Sequence, residues 1–320
     1  MVLLRSKQIS IAGVGSALPK TAVTNDEIIM GLETSDSWIK TNLGIHERRI
    51  CRDENETSSE LGAQAAMRAL DFAGVHPNDV QGIIVATATP DQKAPSTACL
   101  IQNILKISNE CFAFDVQAVC SGFIYGLTVA SSLIESTGAT NILVIGVDTF
   151  SKITNWEDRS SPFFGDGAGA VLLQRTSSSD AEFASIIRAD GSGHEGFFVA
   201  PKANHYTMNP RSVYEAATRV LPNVINELLE ISNKQVGDVD FIVPHQPSIR
   251  VLNKMAEVLG ISSSKVLKNM DKYANTAGAS LPILLAENVI NGTIGKGDLI
   301  VMAGVGSGWT WGAAMYRWQG

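Results

Sequence analysis

Several large classes of protein are excluded by what this 320-residue chain lacks. Aromatic residues make up only 7% and the formal net charge is −7, so there is neither a stacking platform nor a basic stripe, and nucleic-acid binding is not expected. The same negative balance gives little overall attraction to an acidic carrier protein. Four cysteines, Cys51, Cys99, Cys111 and Cys120, show no CxxC spacing and no paired histidine motif. That argues against a metal site or a disulfide framework and fits a reducing cytoplasm. No stretch approaches the ~18 apolar residues that span a membrane, and the opening run MVLLRSKQIS is too short for a signal peptide, so neither export nor membrane insertion is expected.

What is present is a chain with 45% hydrophobic residues, long enough to bury a large core as two domains or one duplicated unit. Short runs rich in Ile and Val, SIAGVG (10–15), GIIVATAT (82–89), NILVIGVD (141–148), GAVLLQ (169–174), DFIVPH (240–245) and DLIVMAGV (298–305), read as buried strands. Between them, residues 59–74, 122–136, 213–231 and 280–291 have helical spacing. Alternation of the two predicts an α/β fold.

An internal repeat sharpens this. HPNDVQGIIVATATP (76–90) is followed by Cys120 at a turn, a helix and GATNILVIGVD (138–148); NKQVGDVDFIVPHQP (233–247) is followed by Asn275 at a turn, a helix and IGKGDLIVMAGVG (294–306). The strand-to-strand interval is about 59 residues in the first half and about 58 in the second. Two copies of one α/β unit, 1–178 and 179–320, are therefore expected to pack face to face, joined in the polar segment TSSSDAE (176–182). Cys120, His245 and Asn275 would then converge on one cleft at strand ends, where α/β folds usually build sites.

Cys120, in DVQAVCSGF, precedes an apolar helical run, so it is expected in a first helical turn, where unpaired N–H groups favour a thiolate. Taken alone, a cysteine among Ala, Val and Phe reads as a small buried hydrophobe, and Cys51, Cys99 and Cys111 keep that reading. His245 alone reads as a hydrogen-bonded structural residue, and Asn275 alone as an N-cap. Together the three suit transfer of an acyl group from a thioester to the thiolate. Loss of carbon dioxide from a malonyl-type thioester would follow, with His and Asn donating hydrogen bonds to the developing enolate oxygen. A cysteine hydrolase would use the same trio with histidine as base, so hydrolysis stays open at this level.

Two glycine clusters, GDGAGA (165–170) and AGVGSGWTWGAA (303–314), do not fit a nucleotide loop: the first departs from GxGxxG and has no acidic partner at the expected distance. Close backbone approach at strand ends is the preferred reading, and GSG (306–308) can aim an N–H at a substrate carbonyl.

DVQAVCSGF, FFGDGAGAVLL, VPHQPSIR, YANTAGAS and GVGSGWTWGAA, in that order over nearly the whole chain, resemble 3-oxoacyl-[acyl-carrier-protein] synthase III, of the thiolase-like condensing enzymes; TSDSWIKTNLGIHERR (34–49) resembles the family's opening. The resemblance implies a thiolase-like fold of duplicated βαβαβ units in a five-layered αβαβα sandwich, forming a homodimer in which a loop of one subunit closes the acyl pocket of the other. It implies Cys120 as the acylated nucleophile, His245 and Asn275 as donors in decarboxylation of malonyl-carrier protein, and the N–H groups of Cys120 and Gly308 as an oxyanion hole. Trp38 and Arg159 match residues that sandwich the coenzyme A adenine, and Ser248 and Arg250 fall at substrate-binding positions. No permanently bound cofactor is implied; acyl-coenzyme A or acyl-carrier protein is the substrate.

The departures are specific. WIKTNLG places Asn42 where the family has arginine, Ser248 after Pro247 replaces an asparagine, and Glu215 stands where a carrier-docking lysine is usual, which weakens docking to an acidic helix. Ala94 occupies the place of a bulky phenylalanine in acetyl-preferring members, so a primer longer than acetyl is expected, and the altered positions 42 and 215 point to a specialised pathway. A non-condensing acyltransferase or thioester hydrolase of the same fold, and a non-enzymatic scaffold, are the alternatives.

Overall fold

The computed structural model describes residues 3–320 apart from 109 and 201, so Met1 and Val2 of the opening run lie outside the described residues. All six Ile/Val runs are strands, and all four helical stretches are helices. They build two five-stranded sheets. The first has the order Ile9–Ala17, Asp166–Arg175, Asn141–Thr149, Gly82–Ala86, Phe112–Val116; the second has Leu3–Ser6, Phe183–Ala189, Thr310–Arg317, Leu299–Gly306, Phe241–Pro244.

The repeat is visible in register. Gly82–Ala86 runs parallel to Asn141–Thr149, starting 59 residues earlier, and Phe241–Pro244 runs parallel to Leu299–Gly306, starting 58 earlier. Each central strand is buried along nearly its full length, which is why these runs are continuously apolar instead of alternating. Residues 176–182 lead from a strand of the first sheet to one of the second, while the first strand, Leu3–Ser6, pairs with Phe183–Ala189 and so joins the second sheet.

Helices complete five layers. Gly122–Thr137 and Ser280–Ile290 lie between the sheets, Ser58–Ala73 and Thr97–Ile104 cover the outer face of the first, and Pro210–Ile231 and Ile249–Leu259 cover the second. Being buried from both sides explains the composition of the middle helices. Val119–Thr137 is the one described helical stretch long and apolar enough to cross a membrane, yet 67% of it is buried inside the sandwich. Side chains such as Phe123, Leu127 and Leu284 are wholly enclosed there, each contributing roughly 1.5–3 kcal/mol by burial.

Each middle helix starts from a short 3-10 turn, Val119–Ser121 and Ala277–Ala279, and these turns match closely. Val119 and Ala277 both have φ of 47°, in the left-handed region, and the residues before them, Ala118 and Thr276, both have ψ of 26°. The structural equivalent of Cys120 is thus Gly278, three residues beyond Asn275. The sequence repeat had paired Cys120 with Asn275, because a turn's backbone angles leave no trace in composition.

Candidate active site

The two turns meet where the halves meet, and Cys120, His245 and Asn275 all line one largely apolar cavity of 310 Å³. Cys120 sits in the turn Val119–Ser121, braced from the other half: Ser121 Oγ lies 2.8 Å from Thr310 Oγ1, which donates to Ala118 O at 3.1 Å. Burial pushes the Cys120 thiol well above its ordinary value; the charge of Asp148 raises it further, and a backbone N–H opposes both. The preformed thiolate expected from the helix start is therefore corrected to a neutral thiol. The sequence showed the helix terminus but not the buried carboxylate beside it.

His245 follows the strand Phe241–Pro244, with its backbone N–H bonded to Ala303 O at 2.8 Å. The ring is buried, Nδ1 has no hydrogen-bond partner among the described residues, and burial pulls the imidazole down to about 3. It is neutral at physiological pH, suited to donate a hydrogen bond and poorly suited to take up a proton. The side chain of Gln246 steadies this loop, donating to Pro244 O at 2.9 Å and accepting from Asn269 N at 3.2 Å.

Asn275 is held by its backbone, which exchanges hydrogen bonds at 3.0 Å with Phe163 O and Gly165 N. Its Oδ1 accepts from Ala277 N at 2.8 Å, which settles the orientation of the amide and turns Nδ2, the donor, the other way. The N-cap reading of Asn275 is half right: the side chain does accept a backbone N–H, and the arrangement leaves a donor over.

The remaining positions divide. Trp38, Asn42, Ser248 and Arg250 line the same cavity. Arg159 does not, but its guanidinium sits 5.5 Å from the Trp38 ring centre in a cation–π contact. Asn42 turns its amide back on its own helix, donating to Trp38 O at 2.8 Å. Ser248 caps the helix Ile249–Leu259, its Oγ accepting from Val251 N at 3.4 Å. Gly306, Ser307 and Trp309, on either side of Gly308, line the cavity. Ala94 is exposed on a loop outside this cavity. Glu215 pairs with Arg211 at 2.8 Å, and Arg211 lies at the cavity wall.

Sequence reasoning missed the aromatic side of the pocket. Phe164 and Phe197 line it and stack with Phe150 and Tyr206, whose centroids lie 4.7–6.2 Å apart in pairs. Phe164 stands directly before GDGAGA, a signal that was readable; Phe197 arrives on a three-residue hairpin strand with no periodicity to mark it. No cluster of metal-ligating side chains occurs among the described residues.

One largely apolar cavity thus brings together a thiol, a buried imidazole and an amide with a donor to spare. Residues 114–191 match the model of 3-oxoacyl-[acyl-carrier-protein (ACP)] synthase III, and 229–318 match that of its C-terminal part. The chain is 41% identical to a beta-ketoacyl-[acyl-carrier-protein] synthase III of Clostridium perfringens, over 97% of this chain and 99% of that one. Among solved structures it is similar to 3-oxoacyl-[acyl-carrier-protein] synthase III of Aquifex aeolicus, with a TM-score of 0.93 and 41% identity over 97% of this chain and 100% of that one. It also resembles the priming beta-ketosynthase of the R1128 polyketide pathway, with a TM-score of 0.91 and 28% identity over 98% and 97% of the two chains. With this site on this fold and likeness over nearly its whole length, the chain belongs to the beta-ketoacyl-[acyl-carrier-protein] synthase III family of condensing acyltransferases.

Proposed function

We propose that Cys120 takes an acyl group from a coenzyme A or carrier thioester and that His245 and Asn275 then drive its condensation with malonyl-carrier protein. The observation that carries this reading is the Asn275 amide: with Oδ1 engaged by Ala277 N–H, it keeps Nδ2 as a donor in the cavity that it shares with a neutral, buried His245. In loading, the Cys120 sulfur attacks the thioester carbonyl. The oxyanion formed there accepts from the Cys120 N–H and from a backbone N–H of the 306–308 segment, where Ser307 lines the cavity and the Gly308 assignment is the sequence alternative. The thiol proton leaves with the departing thiolate, so a raised thiol is compatible with this exchange.

In condensation, the malonyl thioester loses carbon dioxide while its carbonyl oxygen accepts from His245 and Asn275. The resulting enolate carbon attacks the acyl-Cys120 carbonyl, the C–S bond breaks, and one proton from solvent ends on the Cys120 sulfur. The product is a 3-oxoacyl chain on the carrier. Hydrolysis needs His245 as a base, and a ring held at about 3 is a poor one.

The same reading assigns Trp38 and Arg159 to the adenine of coenzyme A, Ser248 and Arg250 to the pantetheine path, and halves 1–178 and 179–320 to the duplicated unit, with Leu3–Ser6 crossing over to the second sheet. The chain would work in the cytoplasm as a homodimer, with Ala94, exposed and outside its own cavity, lining the partner's acyl pocket and admitting primers longer than acetyl. Glu215, already paired with Arg211, leaves carrier docking to Arg250 and favours a specialised pathway. Intact-protein mass after exposure to acyl-coenzyme A should show one adduct on Cys120, released as a 3-oxoacyl carrier once malonyl-carrier protein is added. Release as free acid, or no adduct on native protein, would refute the reading.

A further inference from the structure

Asp148 lies at the end of the strand Asn141–Thr149 and is wholly buried, yet it is not part of the cavity wall. One carboxylate oxygen, Oδ1, accepts from Ala88 N at 2.8 Å, Thr89 Oγ1 at 2.9 Å and Thr87 Oγ1 at 3.3 Å, all on the loop after Gly82–Ala86. The other, Oδ2, accepts from Gly278 N at 2.8 Å, across the junction between the halves. Burial pushes the carboxyl up to about 6 against these four bonds, so it is still ionised at neutral pH. Its charge raises the Cys120 thiol, which works against the nucleophile. An anion that opposes the nucleophile and touches no substrate space calls for a different role.

That role is given by what Oδ2 holds. Gly278 is the middle of the turn Ala277–Ala279, the same turn whose first N–H fixes the Asn275 amide. The position is tight: a Cβ on Gly278 would stand 3.0 Å from Asp148 Oδ2, 3.3 Å from Val119 O and 3.4 Å from Ala86 O. The turn is thus pinned from one side by a carboxylate and wedged on the other by the Cys120 turn.

We propose that Asp148 is a positioning residue for decarboxylation: by accepting the Gly278 N–H it sets the turn that aims Asn275 Nδ2 at the substrate carbonyl. This rests on the proposed condensation. Asp148→Asn tests it selectively, because the amide oxygen will keep the three donors of the first half and leave NH2 facing the Gly278 N–H, donor against donor. At neutral pH, single-turnover decarboxylation by acyl-loaded D148N should fall ~10- to 100-fold, the scale of a misplaced catalytic group. Acyl loading should hold, and alkylation of Cys120 by iodoacetamide should quicken because the neighbouring charge is gone. General loosening would also quicken alkylation of a buried thiol, so retained acyl loading beside slowed decarboxylation is the pattern that separates positioning from loosening.

Gly278→Ala is the second variant and decides the matter if D148N does not fold: it shifts the turn but keeps the charge, so decarboxylation should fall more than acyl loading. Wild-type-like decarboxylation in a folded D148N, or in G278A where D148N does not fold, would overturn the proposal, as would equal loss of loading and decarboxylation. Wild-type protein that fails to load Cys120 would instead overturn the condensing reading itself.

Discussion

The turn that carries Cys120 and the turn that follows Asn275 share a backbone and differ in chemistry. Both open on a left-handed residue, Val119 and Ala277, and both start a middle helix. Each also leans on the other half: a Cβ on Gly304 of the second sheet would stand 3.2 Å from Cys120 O, and one on Gly146 of the first sheet would stand 2.2 Å from Gly278 O. The braces differ. The Cys120 turn is held by the neutral hydroxyl of Thr310, the other by the carboxylate of Asp148. Duplication supplies one scaffold twice, with different residues at matched places: a thiol at 120 opposite a glycine at 278. A donor three residues upstream of that glycine completes the arrangement.

The largest expected effect removes one side outright. Cys120→Ala should abolish acyl loading while leaving the fold intact, read by intact mass and by circular dichroism. Next comes the asymmetry of the two contacts. Gly146→Ala forces backbone against backbone and should cost ~1–3 kcal/mol of stability and lower decarboxylation more than loading, whereas Gly304→Ala should be tolerated within about 1 kcal/mol. Equal effects in thermal melts of the two variants would break the comparison.

The pH dependence of stability isolates His245. Its native value of about 3 lies below the unfolded ~6.5, so between those values the unfolded chain binds a proton that the native ring refuses. Stability is lost as pH falls through that window, and His245→Gln should remove this part of the slope in urea titrations. Asp148, raised to about 6, opposes it between ~4 and 6, so the difference between variant and wild type is the quantity to measure. The smallest effect concerns the primer: Ala94→Phe should weaken selection for longer acyl chains by up to ~4-fold per methylene, read from rates along an acetyl-to-decanoyl series.

Much of this was legible in the chain. The strand runs and their spacing emerge because central strands buried on both faces leave continuous Ile and Val, and Cys120, His245 and Asn275 stand at strand ends and turns that composition marks. What escaped was set by geometry that composition does not carry. Pairing Cys120 with Gly278 depends on φ at Val119 and Ala277, and bringing Phe197 to the cavity depends on a short hairpin. The state of the thiol was misread because the burial that raises it, and the charge of Asp148 that adds to this from 28 positions away, exist only in the folded chain.

The central claim is that Asn275 acts after Cys120 has been loaded. Wild type and Asn275→Ala should be pre-acylated, mixed with malonyl-carrier protein, and followed for carbon dioxide and for the acyl mass on Cys120. Wild type should give prompt carbon dioxide and a 3-oxoacyl carrier, with N275A equally loaded but ~10²- to 10³-fold slower to decarboxylate. Decarboxylation by N275A at the wild-type rate, or loss of the acyl group as free acid, would contradict it.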